Sequence, residues 1–247
     1  MIELGQIPIG VINLPGAERR RRRITESLGA WGLRFHLIEA VAAQPRHHGC
    51  SQSHLKAVTM LRGNGPFLVL EDDATPTEDF RAQIAAPDGA NLLYLGHSRF
   101  GFSRSAGKIG TPELTESEGD FLRVHSMLAA HAILYLNDAG AEEVTAAIRR
   151  SIDRRRPLRH DIALCELQAR TRVLAMPRPY FTQSSGTQRA GKRAARQAEA
   201  DFIAVPRLPG ARGISAQDDG DVALIVARTP TGGLEFQREA EAAAAHV

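Results

Sequence analysis

Phe67-Leu68-Val69-Leu70-Glu71-Asp72-Asp73 is the stretch on which the fold turns. Four consecutive apolar residues follow the breaker Gly63-Asn64-Gly65-Pro66, and such a run reads as a central strand of a parallel sheet, buried on both faces. It ends in three adjacent carboxylates, which repel one another unless positive charge sits among them. In parallel α/β folds ligands bind at the C-terminal ends of strands, so these acids stand where Mg²⁺ or Mn²⁺ is held by oxygen ligands. On an extended strand end, alternate side chains share a side. Glu71 and Asp73 therefore face the ligand, and Asp72 faces the protein. A solvated acidic loop capping the next helix is the competing reading of the triplet, and the residues alone leave both open.

Working outward, strands alternate with helices. Ile7 to Leu14 reads as a buried strand, broken by Pro15-Gly16, with a helix from Ala17 to Ala30 carrying Ile24 and Leu28 one turn apart. Arg34 to Ala40 reads as a second strand. Ser51 or Ser53 caps a helix through Leu55, Val58 and Leu61. Beyond the acids, Thr77 to Ile84 reads as a short helix and Asn91 to Leu95 as a strand. Gly96 to His125 reads as a long loop region, and Ala129 to Leu136 as a strand. Asp138 to Ile152 and Asp161 to Ala169 read as helices, with Arg172 to Met176 a further strand. The expectation is an α/β domain over residues 1–185, a mostly parallel sheet flanked by helices. Residues 186–247 form a C-terminal extension: a basic helix at Gln188 to Ala200, a hairpin of Asp221–Arg228 with Leu234–Gln237, and an Ala-rich tail.

Composition narrows the class. Apolar residues are 43% and charged residues 24% of the 247, ordinary values for a globular chain with a real core. The two cysteines, Cys50 and Cys165, lie far apart and outside any CxxC pair, which argues against a disulfide scaffold or a zinc site and favours reduced thiols in a cytosolic compartment. The N-terminus lacks a signal peptide's basic start and apolar core, and no stretch approaches a membrane span. The expected location is cytoplasmic, at most peripheral at a membrane face. The pI of about 9.2 comes from arginine clusters at Arg19–Arg23, Arg149–Arg159 and Arg189–Arg196, able to meet phosphates. Aromatics are only 5% and do not interleave with the basic runs, which speaks against nucleic acid.

Two further segments carry chemistry. His47-His48-Gly49-Cys50-Ser51-Gln52-Ser53-His54 precedes the expected helix, and a helix N-terminus suits a phosphate or ribose. Gly49, Cys50, Ser53 and His54 are candidate donor contacts there. A small buried Cys50 and a capping Ser51 are the plainer alternatives. The histidine spacing is not a recognised zinc pattern. Asn13, Leu14 and Arg19 stand at a strand end and in the basic turn after it, in reach of a base or diphosphate.

The order Ile12-Asn13-Leu14-Pro15, arginine-rich helix, Gly49-Cys50-x-x-Ser53-His54, apolar strand, Glu71-Asp72-Asp73 resembles glycosyltransferase family 25. That family includes lipopolysaccharide glycosyltransferases and the procollagen galactosyltransferase domain. His131-Ala132-Ile133-Leu134-Tyr135-Leu136 with Gly140-Ala141, and Asp161-Ile162-Ala163-Leu164 with Pro177 to Gln183, resemble two later family segments. The chain departs from the pattern at Gln52, in place of leucine, at Ile133, in place of tyrosine, and in lacking an aromatic after His54. The resemblance implies a GT-A fold, a nucleotide-sugar donor (UDP-sugar first), an Mn²⁺ or Mg²⁺ cofactor and inversion at the anomeric carbon. The implied acceptor is a glycan, a lipid-linked saccharide or a protein. Metal contacts fall to Asp73 and Glu71, with Gln183 or His131 completing the set. Asp161 takes the acceptor proton, with Glu166 next in line; helix capping is Asp161's plainer role. A GT-like protein that binds without catalysis, and a basic nucleic-acid-binding protein, are the competing functions.

Overall fold

The structure, a computed structural model, describes residues 1–183 except 64, 104–106, 118, 120 and 154–158, together with the backbone of four later strands, Ile203–Ala204, Ser215–Ala216, Leu224–Arg228 and Gly233–Arg238. The proposed basic helix at 188–200 and the tail after 238 lie outside the described residues.

Strand alternation at Phe67–Leu70 divides the core in two. Phe67 and Val69 enter one apolar cluster, with Ala57, Val58, Val144, Ile148 and Leu164. Leu68 and Leu70 enter the other, with Ile9, Val11, Ile24, Leu28, Phe80 and Phe181. Both faces of this strand are therefore covered, as its unbroken apolar run requires. Helix α1 (Glu18–Gly29) covers the second face with Ile24 and Leu28. Helices α2 (Arg46–Leu61), α3 (Asp138–Ile152) and α4 (His160–Gln168) cover the first. Phe67 stacks on Tyr135 with centroids 4.5 Å apart.

The fold is mixed α/β, with a ten-stranded central sheet flanked by helices. The expectation of a mostly parallel sheet needs correction. Among the described strands, Ile9–Asn13 pairs in parallel with His36–Glu39 and with Phe67–Glu71, and Val173–Ala175 pairs in parallel with Leu92–Tyr94. The other pairings in this sheet are antiparallel, including Ala132–Tyr135 with both of its neighbours. Apolar runs report burial on two faces, and burial says nothing of strand direction.

Other expectations shift for local reasons. Helix α2 starts at Arg46, ahead of Ser51 and Ser53, because its early buried positions are Gly49, Ser51 and Ser53 and carry no apolar signal. Both serines sit inside the helix and donate back one turn, Ser51 Oγ to the His47 carbonyl and Ser53 Oγ to that of Gly49. Thr77 to Ile84 is not a helix. The Thr77 N–H is taken by the Tyr180 carbonyl, and Gln83–Ile84 pairs with Ile2–Glu3. The expected loop at 96–125 contains Glu113–Glu116 and Leu122–Ser126, which extend the main sheet through partners remote in sequence. The C-terminal hairpin forms between Leu224–Arg228 and Gly233–Arg238 and joins the sheet at Glu113–Thr115. Among the described residues, no helix is long and apolar enough to cross a membrane.

Helix α3 matches its expected bounds because its N-terminus is written locally. Asn137 caps it, its Oδ1 accepting from the Gly140 N–H at 2.9 Å, while its amide donates to Asn91 Oδ1 at 3.1 Å. Asn137→Ala removes both bonds. A loss of about 1–2 kcal/mol is expected, read as a lower urea midpoint at unchanged m-value.

Candidate functional site

The three parallel strands Ile9–Asn13, His36–Glu39 and Phe67–Glu71 end at one edge, and a cleft of about 910 Å³ opens there. Its size is that of a small-molecule site. Acids form one side: Glu71, Asp72 and Asp73 all line it. Arg20, Arg46 and Arg159 also line it, from α1, α2 and the start of α4.

The strand ends at Glu71, and Asp72 and Asp73 stand in the turn that follows. Glu71 continues the Phe67–Val69 face and meets His54 of α2, its Oε1 2.9 Å from His54 Nε2. Asp72 meets Asn13, whose amide donates to it at 2.6 Å, and Arg20 at 3.3 Å. The Gln183 amide reaches back to Glu71 Oε2 and Asp73 Oδ2, each at 3.2 Å. Glu71 and Asp73 thus meet at Gln183, while Asp72 turns to Asn13 and Arg20.

The three carboxyls differ because their partners differ. Burial pushes Glu71 up, but the His54 hydrogen bond and the neighbouring imidazoles outweigh it and hold the carboxyl down at about 2. Burial raises Asp72, against the pull of Asn13 and Arg20. Asp73 is pushed up to about 7, first by burial and then by the charges of Glu71 and Asp72, with the Gln183 bond too weak to offset them. The repulsion within the triplet is thus felt most at Asp73. Oxygen ligands there, from Asp73 and Glu71, with the Gln183 amide beside them, fit a hard divalent cation.

Several sequence candidates come together around this point. Asn13, Cys50, Ser53, His54, Gln183 and the triplet meet through direct bonds or across the cleft. Leu14 lines the cleft and is exposed. The reading of Gly49 to His54 as a helix N-terminus is corrected, since α2 begins three residues before Gly49. Gly49 acts by closeness instead. A Cβ there would fall 2.3 Å from the Val41 carbonyl oxygen, and Ser53 Oγ accepts from the Val41 N–H at 2.8 Å. Together they press α2 against the Ala40–Ala43 loop that walls the cleft.

Arg19 is exposed and does not line the cleft; Arg20, one residue on, does. Successive helical residues point about 100° apart, and the cluster gave no sign of which arginine faced inward. His131 does not line the cleft. It is buried, its Nε2 donates to the Phe181 carbonyl at 3.3 Å, burial lowers its basicity, and only a glycine at position 96 leaves room for its ring. Asp161 does not reach the cleft wall either. Arg159 Nε donates to its Oδ1 at 3.1 Å, Arg159 Nη2 pairs with its Oδ2, and the Ile162 N–H donates to Oδ1 at 2.9 Å. A carboxylate engaged on both oxygens is poorly placed to take a proton, and its visible work is to hold Arg159. Glu166, also on α4, does not line the cleft. Arg159 and His160, both lining it, were missed. His160 is buried with its ring stacked on His54, centroids 4.3 Å apart, and burial pushes it down to about 3. Nothing in its sequence neighbourhood, a basic run, signals burial.

No protein-family model matches the chain, and no curated protein sequence matches it. Solved structures do. One is a glycosyltransferase involved in the glycosylation of the major capsid of PBCV-1, at 13% identity and TM-score 0.45, over 80% of this chain and 99% of that one. Another is the inositol-1-phosphate CTP transferase from T. maritima, at 9% and 0.44, over 76% and 74%. A third is a mutant Drosophila β1,4-galactosyltransferase 7 in complex with manganese, UDP-Gal and xylobiose, at 8% and 0.39, over 94% and 93%. Likenesses this distant assign no activity, and the resemblance to family 25 rests on its motifs.

Gly49→Ala tests the wall of the cleft. The added methyl must displace backbone at Val41, so a loss of about 1–3 kcal/mol is expected, measured by urea denaturation against the parent protein.

Proposed function

We propose that this protein is a glycosyltransferase that takes a sugar from a nucleotide-sugar donor, a UDP-sugar first, and passes it to an acceptor hydroxyl with inversion. One observation carries the reading: segments separated by up to about 170 residues, the same ones that resemble family 25, converge at the ends of three parallel strands around one acidic triplet. Acids and arginines facing one cleft suit a diphosphate bound through a divalent cation. Asp73 and Glu71, with Gln183 beside them, would hold Mn²⁺ or Mg²⁺. When bound, such a cation neutralises the charge that develops on the departing diphosphate.

The chain's own residues divide the remaining work. Arg159, held by Asp161, and Arg20, held by Asp72, present guanidinium groups to phosphate oxygens. Asn13 keeps Asp72 turned away from the other two acids. The motif resemblance favours a glycan, lipid-linked or protein acceptor, and work in lipopolysaccharide or other cell-surface glycan synthesis from the cytoplasmic side.

Calorimetric titration with UDP-sugars, with and without Mn²⁺, tests the reading. Binding that requires Mn²⁺ in the parent protein and vanishes in Asp73→Ala is expected, with transfer lowered about 10²-fold or more, since a bound cation contributes several kcal/mol. Donor affinity indifferent to both metal and Asp73 would end it.

Asp161→Asn separates two roles. Loss of the partner that holds Arg159 should raise donor KM about tenfold, with kcat changed little. A fall in kcat of about 10²–10⁴ at unchanged donor affinity would instead return Asp161 to the role of proton acceptor.

A further inference from the structure

Behind the triplet lies a second donor set of different chemistry. Cys50 and His54 are one turn apart on α2 and share a face. Glu71 ends the central strand, and His160 opens α4. One ligand atom from each of these four residues lies within 4.8 Å of the other three. We propose that Cys50, His54, Glu71 and His160 form a tetrahedral site for a borderline transition metal, Zn²⁺ in the first instance. It shares Glu71 with the oxygen site at Asp73 and differs from it in every other ligand, and the inference does not depend on the transferase reading.

Three physical points support this. The first is an unmet need. His160 is 6% exposed, yet among the described residues neither of its ring nitrogens has a hydrogen-bond partner. Burying such groups without partners is costly, and a metal bond to one nitrogen removes the larger part of that cost. The second is the donor set itself. Thiolate, imidazole and carboxylate match zinc rather than Mg²⁺ or Ca²⁺. With one thiolate, one carboxylate and two neutral imidazoles around a dication, the unit is neutral and suited to burial. Binding is balanced by release of the Cys50 thiol proton to solvent.

The third point is dimensional. Zinc bond lengths of about 2.0–2.3 Å place tetrahedral ligand atoms about 3.3–3.6 Å apart. His54 Nε2 and Glu71 Oε1, at 2.9 Å, need to part by a few tenths of an ångström, while the wider pairs, none beyond 4.8 Å, need to close. The one larger adjustment is a turn of an imidazole out of the His54–His160 stack, whose rings lie 22° from parallel. His160 can turn without forfeiting any hydrogen bond to the described protein. The ligands come from two helices and the central strand, so the metal would lock α2 and α4 to the sheet beneath the cleft. Glu71 would keep Oε2 for Gln183.

The test uses the full chain, stripped by chelator and titrated with Co²⁺ alone. Expected are about one equivalent bound, visible bands of tetrahedral intensity, and a near-ultraviolet thiolate-to-cobalt band, all reversed by Zn²⁺. Cys50→Ser should lose the thiolate band at an unchanged far-ultraviolet circular dichroism spectrum. His160→Ala should weaken Co²⁺ binding about tenfold or more. Asp73→Ala should leave the cobalt spectrum unchanged while abolishing Mn²⁺-dependent donor binding, so each reading can fail alone. A weak octahedral spectrum in the parent protein, which needs no variant to fold, overturns the proposal. So does a thiolate band that survives Cys50→Ser, which would assign it to Cys165.

Discussion

Three carboxylates in consecutive positions cannot share one environment, and the arrangement of this molecule around the Phe67–Glu71 strand answers that repulsion. The strand ends at Glu71, and the turn that follows sends Asp72 toward α1, where Asn13 and Arg20 receive it. Glu71 goes to the opposite face and is met by His54. Asp73 meets the Gln183 amide and the fields of the two other acids, and its carboxyl rises to about 7. The separation works because Phe67 to Leu70 are fully buried and hold the strand end rigid between two apolar layers.

Sheet direction matters only near this point. The parallel strands Ile9–Asn13, His36–Glu39 and Phe67–Glu71 bring three chain ends to one edge, which makes a crevice. Farther along, antiparallel pairing extends the sheet, and Ala132 opposite Leu70 brings His131 near the acids, where its ring bonds the Phe181 carbonyl. Gly49 and Ser53 set how closely α2 approaches the Val41 backbone, and hence where His54 and Cys50 stand.

Glu71 stands between two chemistries. Toward Asp73 and Gln183 the donors are oxygens, suited to a hard cation beside phosphates; toward Cys50, His54 and His160 they are sulfur and nitrogen. Asp161 shows how a residue in a suggestive motif can act at one remove. It anchors Arg159, and the guanidinium, not the carboxylate, reaches the cleft.

The sequence by itself determined the elements whose signals are local. The central strand was legible because four apolar residues end abruptly in acids, and the span of α3 was legible from Asp138 to Ile152. Asn13, Cys50, His54, Glu71, Asp73 and Gln183 were nameable as a group from residue type and motif order. Only the tertiary structure decided strand direction, since burial on two faces does not distinguish parallel from antiparallel pairing. It alone chose Arg20 over Arg19, because one residue rotates a helical side chain by about 100°. It alone brought His160 onto His54, because residues more than a hundred positions apart meet only when α2 and α4 pack on the same face of the sheet.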